Sequence, residues 1–234
     1  MAADSHAAAL GPADAPLDPH VGHGPLQHHF DTMEQQRDAS TLGMWAFIAQ
    51  EALFFGGLFT AYLVYRVLYP QAYEIGSNQL NVVMGGINTA VLITSSLTMA
   101  MAVWAAQTGR RRQLVGWMSA TLVLGLAFLV VKYFEYAEKF HHHLVPGAHF
   151  SLPRAGAQEG NVELFFSLYF GMTGMHALHM VIGAGLLLYF IFMAWRGRYT
   201  PEYSHPIELF GLYWHFVDIV WIFLFPLLYL LGRN

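Results

Sequence analysis

Five ionisable side chains stand within apolar sequence or near its end: Glu51, Lys132, Glu135, Glu208 and Asp218, with His176, His179 and His215 beside them. Even the cheaper scales charge about +2.5 to +3.5 kcal/mol for Asp, Lys or Arg at the centre of a membrane helix, so each is expected to face protein and to be paired or neutral. Asp218 lies in Tyr213-Trp214-His215-Phe216-Val217-Asp218-Ile219-Val220-Trp221, where three- and four-residue spacings place His215, Trp214 and Trp221 on its face. That stripe reads as an interhelical hydrogen-bond network, with contact to a partner subunit or a proton path as the alternative. His176 and His179 share one helix face by the same spacing. As metal ligands they would need further histidines or carboxylates converging from other helices, and with no cysteine a thiolate site is excluded. The chain is therefore read as binding no metal, and no catalytic residue is assigned to it.

Glu51 sits in Ala49-Gln50-Glu51-Ala52-Leu53-Phe54-Phe55-Gly56-Gly57, about three turns into apolar sequence. Desolvation favours the neutral form of such a carboxyl, which could then carry a proton. A neighbouring hydroxyl or a lipid headgroup that simply holds the acid is the competing reading. Lys132 and Glu135, with Glu138 and Lys139, are spaced for mutual ion pairs. The run His141-His142-His143 and His149 read as an exposed loop.

The elements that must position these groups are membrane spans. The chain of 234 residues is 56% hydrophobic and only 11% charged, against about 25% charged in an ordinary soluble domain. Five apolar stretches, about 42–68, 81–106, 113–138, 163–195 and 207–231, each reach the roughly 20 residues that a crossing helix needs. The fold class is all-α: a polytopic bundle of five transmembrane helices over 39–234. Residues 1–38, with five of the thirteen histidines, read as a disordered His-containing tail. Arg37, Arg110, Arg111, Arg112, Arg196 and Arg198 fall on one side, against Arg66, Lys139, Arg154 and Arg233 on the other. Basic residues collect in short cytoplasmic loops, so the N-terminus is expected inside and the C-terminus in the periplasm. Trp45, Trp104, Trp117 and Trp195, at span ends on the same side, agree with this. A net charge of -4 without a basic face argues against nucleic-acid binding.

Several segments, in order, resemble subunit III of the haem-copper oxidases, most closely the bacterial cytochrome c oxidase form. They are His28-His29-Phe30 with Met33-Glu34-Gln35-Gln36-Arg37, the Glu51 to Phe55 segment, Asn88-Thr89-Ala90-Val91-Leu92-Ile93-Thr94-Ser95-Ser96, Phe134-Glu135-Tyr136, His176-Ala177-Leu178-His179-Met180-Val181-Ile182-Gly183, and the Tyr213 to Trp221 motif. The resemblance covers nearly everything from about residue 28 onward.

The resemblance implies a non-catalytic subunit of a proton-pumping oxidase in a bacterial inner membrane. Such a subunit packs on subunit I, works beside subunit II, holds structural phospholipid in a cleft, and sustains proton uptake and lifetime under turnover. Haems and copper would reside in the partner subunits. Glu51 matches the family's carbodiimide-reactive buried glutamate, Glu208 another acid of the bundle, and His176 and His179 its lipid-cleft histidines. The family's headgroup-binding arginine near the end of helix four has no clean counterpart in Arg196. Many members have seven helices, and the first span here matches their third, so the cleft is expected to be completed by another chain, such as the C-terminus of subunit I. The donor is not written in this chain, which leaves a quinol oxidase or a nitric-oxide-reductase-associated complex as alternatives. A stand-alone proton or ion transporter built on Glu51 and Asp218 is the alternative of another class.

Overall fold

The computed structural model describes residues 26–27, 29–147 and 150–231. Residues 1–25, His28, His149 and Arg233, which entered the sequence reading, lie outside them. Six α-helices follow in order: α1 Met33–Leu68, α2 Pro70–Asn78, α3 Val82–Gln107, α4 Arg111–His141, α5 Glu159–Trp195 and α6 His205–Phe225. Short 3-10 turns at Pro153–Gln158 and Pro201–Tyr203 precede α5 and α6, and a π-helical turn, Pro226–Leu230, follows α6. No strand occurs among the described residues. Five of the helices, all but α2, are long and apolar enough to cross a membrane.

Two differences from the sequence reading have local causes. Helix α1 begins at Met33, inside the segment read as tail. The Thr32 hydroxyl accepts from the Gln35 N–H at 3.1 Å while the Gln35 side-chain carbonyl accepts from the Asp31 N–H at 2.8 Å, a reciprocal cap of the Thr-x-x-Gln kind that starts a helix before its apolar stretch begins. Helix α2 was missed because nine residues are too few to show a period. Pro70 opens it, and Ala72, Tyr73 and Gly76 are buried.

The turns that end α3 and α5 share one geometry. After α3 the Arg110 N–H reaches the Ala105 carbonyl at 2.9 Å, with Gly109 at φ 69°; after α5 the Arg198 N–H reaches the Met193 carbonyl at 3.1 Å, with Gly197 at φ 80°. Both are left-handed caps that a side chain would strain. They bring two arginine clusters to one end of the bundle, where the Arg111 Nε–H donates to the Ala194 carbonyl at 3.1 Å.

Helices α3 to α6 form the close-packed core, with α6 the most enclosed span and α1 the least. Trp214 and Trp221 are fully buried at its centre. Gly125 of α4 and Gly183 of α5 make room for Trp214: a Cβ on either would lie 2.9 or 3.1 Å from the indole. Close approach through glycine is a common route to helix packing in lipid, where apolar burial alone does not favour association between helices.

Candidate functional site

Glu51 and His179 form the polar link between α1 and α5. Glu51 Oε2 lies 3.3 Å from His179 Nε2, both residues are buried, and the Phe55 ring packs on the imidazole at 5.6 Å. His179 Nδ1 stands 2.8 Å from the Met175 carbonyl, which can only accept, so Nδ1 carries a hydrogen. The opposite nitrogen faces the Glu51 carboxyl at ion-pair distance. An imidazolium with a carboxylate and an imidazole with a neutral carboxyl both carry no net charge, which is what apolar surroundings favour. The Tyr213 hydroxyl donates to the His179 carbonyl at 2.8 Å and so ties α6 to the same turn.

Other side chains tie α1 along its length. Thr41 Oγ1 lies 3.2 Å from His205 Nε2, the Tyr62 hydroxyl donates to the Leu227 carbonyl at 2.9 Å, and the Arg66 guanidinium donates to the Leu231 carbonyl. The π-helical turn supplies the Leu227 acceptor, and Leu231 follows directly after it.

His176 does not join His179. One helical step of three residues turns it away from α1 into the core, where its ring packs on Phe128 at 5.3 Å and Trp221 at 5.2 Å, and neither nitrogen has a hydrogen-bond partner among the described residues. The shared face expected from spacing thus splits between two environments. Among the described residues the two rings have different neighbours.

The stripe on α6 is an interhelical network, as spacing suggested, and its partners lie on α3. The Trp214 indole donates to Ser95 at 2.8 Å, the Trp221 indole donates to Thr89 at 3.1 Å, and His215 Nδ1 lies 2.7 Å from Ser96 Oγ. Asp218 is buried on the same helix, with the Ser96 hydroxyl as a polar neighbour. Glu208, in the first turn of α6, accepts from Ser204 at 2.8 Å and Gln107 at 3.0 Å and faces His205 at 3.7 Å.

Glu135 belongs to a cluster that sequence reasoning saw only as an ion pair. Its carboxylate accepts from Lys132 at 2.8 Å, from the Tyr169 hydroxyl at 3.0 Å and from the Tyr229 hydroxyl. Lys132 also donates to Tyr229 at 2.9 Å and lies over the Trp221 ring at 4.7 Å. Three donors and an aromatic wall compensate two charges that are almost wholly buried. The tyrosines carried no signal, because either would read as ordinary apolar filling. Glu138 and Lys139 stand 3.9 Å apart, and His141, His142 and His143 are exposed. Among the described residues no group of three or more His, Cys, Asp or Glu side chains converges closely enough to hold a metal ion.

The family model for cytochrome c oxidase subunit III matches residues 26–233. This chain belongs to that family. It is 35% identical over 198 residues to cytochrome c oxidase subunit 3 of Synechocystis, covering 83% of this chain and 76% of the relative. Cytochrome c oxidase subunit 3 of Thermostichus vulcanus is 33% identical over 204 residues, 87% of this chain and 92% of the relative. Cytochrome bo(3) ubiquinol oxidase subunit 3 of Pseudomonas aeruginosa is 30% identical over 207 residues, 88% and 91%. The chain is subunit III of a haem-copper oxidase, a multi-pass membrane protein that associates with other oxidase subunits.

Proposed function

We propose that this subunit III is a non-catalytic, proton-supporting member of a proton-pumping cytochrome c oxidase in a bacterial inner membrane. In this reading it packs on subunit I beside subunit II, holds structural phospholipid between α1 and the α5–α6 face, and leaves haems and copper to the partner subunits. The observation that carries the reading is the Glu51–His179 pair: an acid and an imidazole 3.3 Å apart across the seam between the least enclosed helix and the core. Such a pair can give or take a proton without a metal and without a hydroxyl nucleophile, which suits support of proton delivery and not bond-breaking chemistry. Bacterial relatives named as cytochrome c oxidase subunits, 31% to 35% identical, support that donor and the inner-membrane location. Relatives named as quinol oxidase subunits, at 30%, make a quinol oxidase the second reading. The N-terminus is assigned to the cytoplasm because Arg110 to Arg112 and Arg196 to Arg198 meet at one end of the bundle. The domain reading keeps 39–234 as the membrane unit.

The test is to purify the complex through this chain. Haems and copper in the co-purified subunits, with oxidation of reduced cytochrome c coupled to proton ejection, are expected. Oxidation of quinol alone would select the second reading. Isolation of the chain without oxidase subunits, with proton flux through it in liposomes, would overturn both.

A further inference from the structure

A groove lies away from α1, on the outer face of the α3–α4 hairpin near its turn. Met101, Trp104, Arg110, Gly116 and Trp117 line it, and it has a cavity volume of about 450 Å³, within the roughly 300 to 1,000 Å³ of small-molecule sites. We propose that this groove binds one anionic phospholipid from the adjoining leaflet, with its phosphate at Arg110 and an acyl chain along Met101 and Gly116.

Charge comes first. The Arg110 guanidinium carbon stands over the Trp104 ring, 4.5 Å from its centroid, a contact that uses none of its N–H donors and leaves them able to meet an anion. No carboxylate among the described residues lies within ion-pair distance of Arg110 or Arg112, and no acid lines the groove. Arg111 differs: its guanidinium is committed to the Ala194 carbonyl. An unneutralised arginine beside apolar helix favours an anionic headgroup over a zwitterionic one. Shape comes second. Trp104 and Trp117 line the groove near the α3–α4 turn, and indole rings favour the headgroup and ester region at such span ends. Below them a Cβ on Gly116 would have nothing within 4 Å, so the floor is open along the helix. The flanking Leu97 and Val123 are 63% and 64% exposed, an apolar surface continuous with the groove. Glu51 and His179 lie on other helices, so this site is separate from the α1–α5 seam and does not depend on the proton-supporting role proposed for it.

The experiment uses the assembled oxidase carrying this chain, delipidated in detergent and titrated with palmitoyl-oleoyl phosphatidylglycerol or phosphatidylcholine under native mass spectrometry. Wild type is expected to retain one more phosphatidylglycerol than Gly116→Leu, which fills the floor and keeps every charge. Arg110→Gln is expected to weaken that lipid about five-fold, the share of one arginine at a membrane surface, with phosphatidylcholine unchanged. Equal phosphatidylglycerol binding in wild type and both variants would overturn the proposal. So would displacement by millimolar glycerol 3-phosphate, which would mark a free-anion site. A diazirine-bearing leucine analogue in place of the exposed Leu97 leaves the floor open and supplies a readout independent of the variants' assembly: a lipid adduct supports the site, and cross-linking to a protein chain refutes it.

Discussion

Replacing Glu51 by Ala and by Gln separates two roles that the Glu51–His179 pair combines. With Nδ1–H committed to Met175, His179 presents a lone pair to position 51 whenever it is neutral, and a glutamine amide can donate to it. Glu51→Gln therefore keeps the bridge between α1 and α5 and removes the exchangeable proton, whereas Glu51→Ala removes both. One polar contact between membrane helices is worth ~0.6 kcal/mol on average and up to ~1.7, so the Ala change should favour detachment of α1 by about three- to eighteen-fold. Among the described residues, the polar contacts that tie α1 include Thr41–His205, Glu51–His179, Tyr62–Leu227 and Arg66–Leu231. At the average value these four supply about 2.4 kcal/mol, of which the substitution removes at most a quarter. The helix stays attached, and the initial rate of oxygen consumption should equal wild type. The number of turnovers before inactivation should fall several-fold for Glu51→Ala and little for Glu51→Gln, while the ratio of protons pumped per electron falls in both. Oxygen consumption followed over many turnovers in reconstituted vesicles, with proton ejection recorded alongside, reads both quantities. If lifetime and ratio match wild type in Glu51→Ala at unchanged lipid content, Glu51 is only a tolerated acid. If Glu51→Gln loses lifetime as fully as Glu51→Ala, the retained bridge contributes nothing.

Lys132→Met strands the Glu135 carboxylate in the core and should destabilise the bundle by about 3 to 5 kcal/mol, with much of the loss recovered in Lys132→Met/Glu135→Gln; thermal unfolding of the purified complex measures both. Gly125→Ala places a methyl 2.9 Å from Trp214 and should cost about 1 to 3 kcal/mol, whereas Gly171→Ala, with nothing within 4 Å, should be neutral or slightly stabilising in the same assay. Asp218→Asn keeps a polar group beside Ser96 and should change subunit III content and melting temperature little; a large drop would mean that a group outside this chain bonds the carboxylate. His215→Phe breaks the contact to Ser96 and should lower stability by ~0.6 to 1.7 kcal/mol, read as loss of this subunit during detergent washing.

Apolar run length made the five spans legible, because the hydrocarbon thickness sets the length of a crossing helix whatever the packing. Helix ends were less so: α1 gains nine residues from a Thr32–Gln35 cap, and capping acts on backbone groups that a hydropathy window does not weigh. Spacing along one helix correctly placed Trp214, His215 and Trp221 on a bonded face, since the i, i+3 and i+4 geometry belongs to the helix alone. It failed for His176 and His179, because a separation of three residues spans about 60° of the helix circumference, enough to divide two side chains between different neighbours. It also could not supply Ser95, Ser96 and Thr89 as partners, nor Tyr169 and Tyr229 around Glu135, because those pairings cross between helices far apart in sequence.

The two buried acids that resemble each other most on paper end in opposite circumstances, and the difference bears on function. Glu135 is saturated: a lysine and two phenols fix its charge, so releasing or binding a proton there would undo three contacts at once. Glu51 has an imidazole neighbour at 3.3 Å whose other nitrogen is already committed to the Met175 carbonyl, so the proton exchange proposed for this pair undoes no comparable set of contacts. A group that exchanges protons must have two arrangements of similar energy, and a group that holds a fold together must have one. The Lys132 cluster, linking α4, α5 and the π-helical turn, meets the second condition. The Glu51–His179 pair, placed on the least enclosed helix, is not fixed in that way, which is why the proton-supporting role is proposed for the seam of α1 and not for the more heavily charged core.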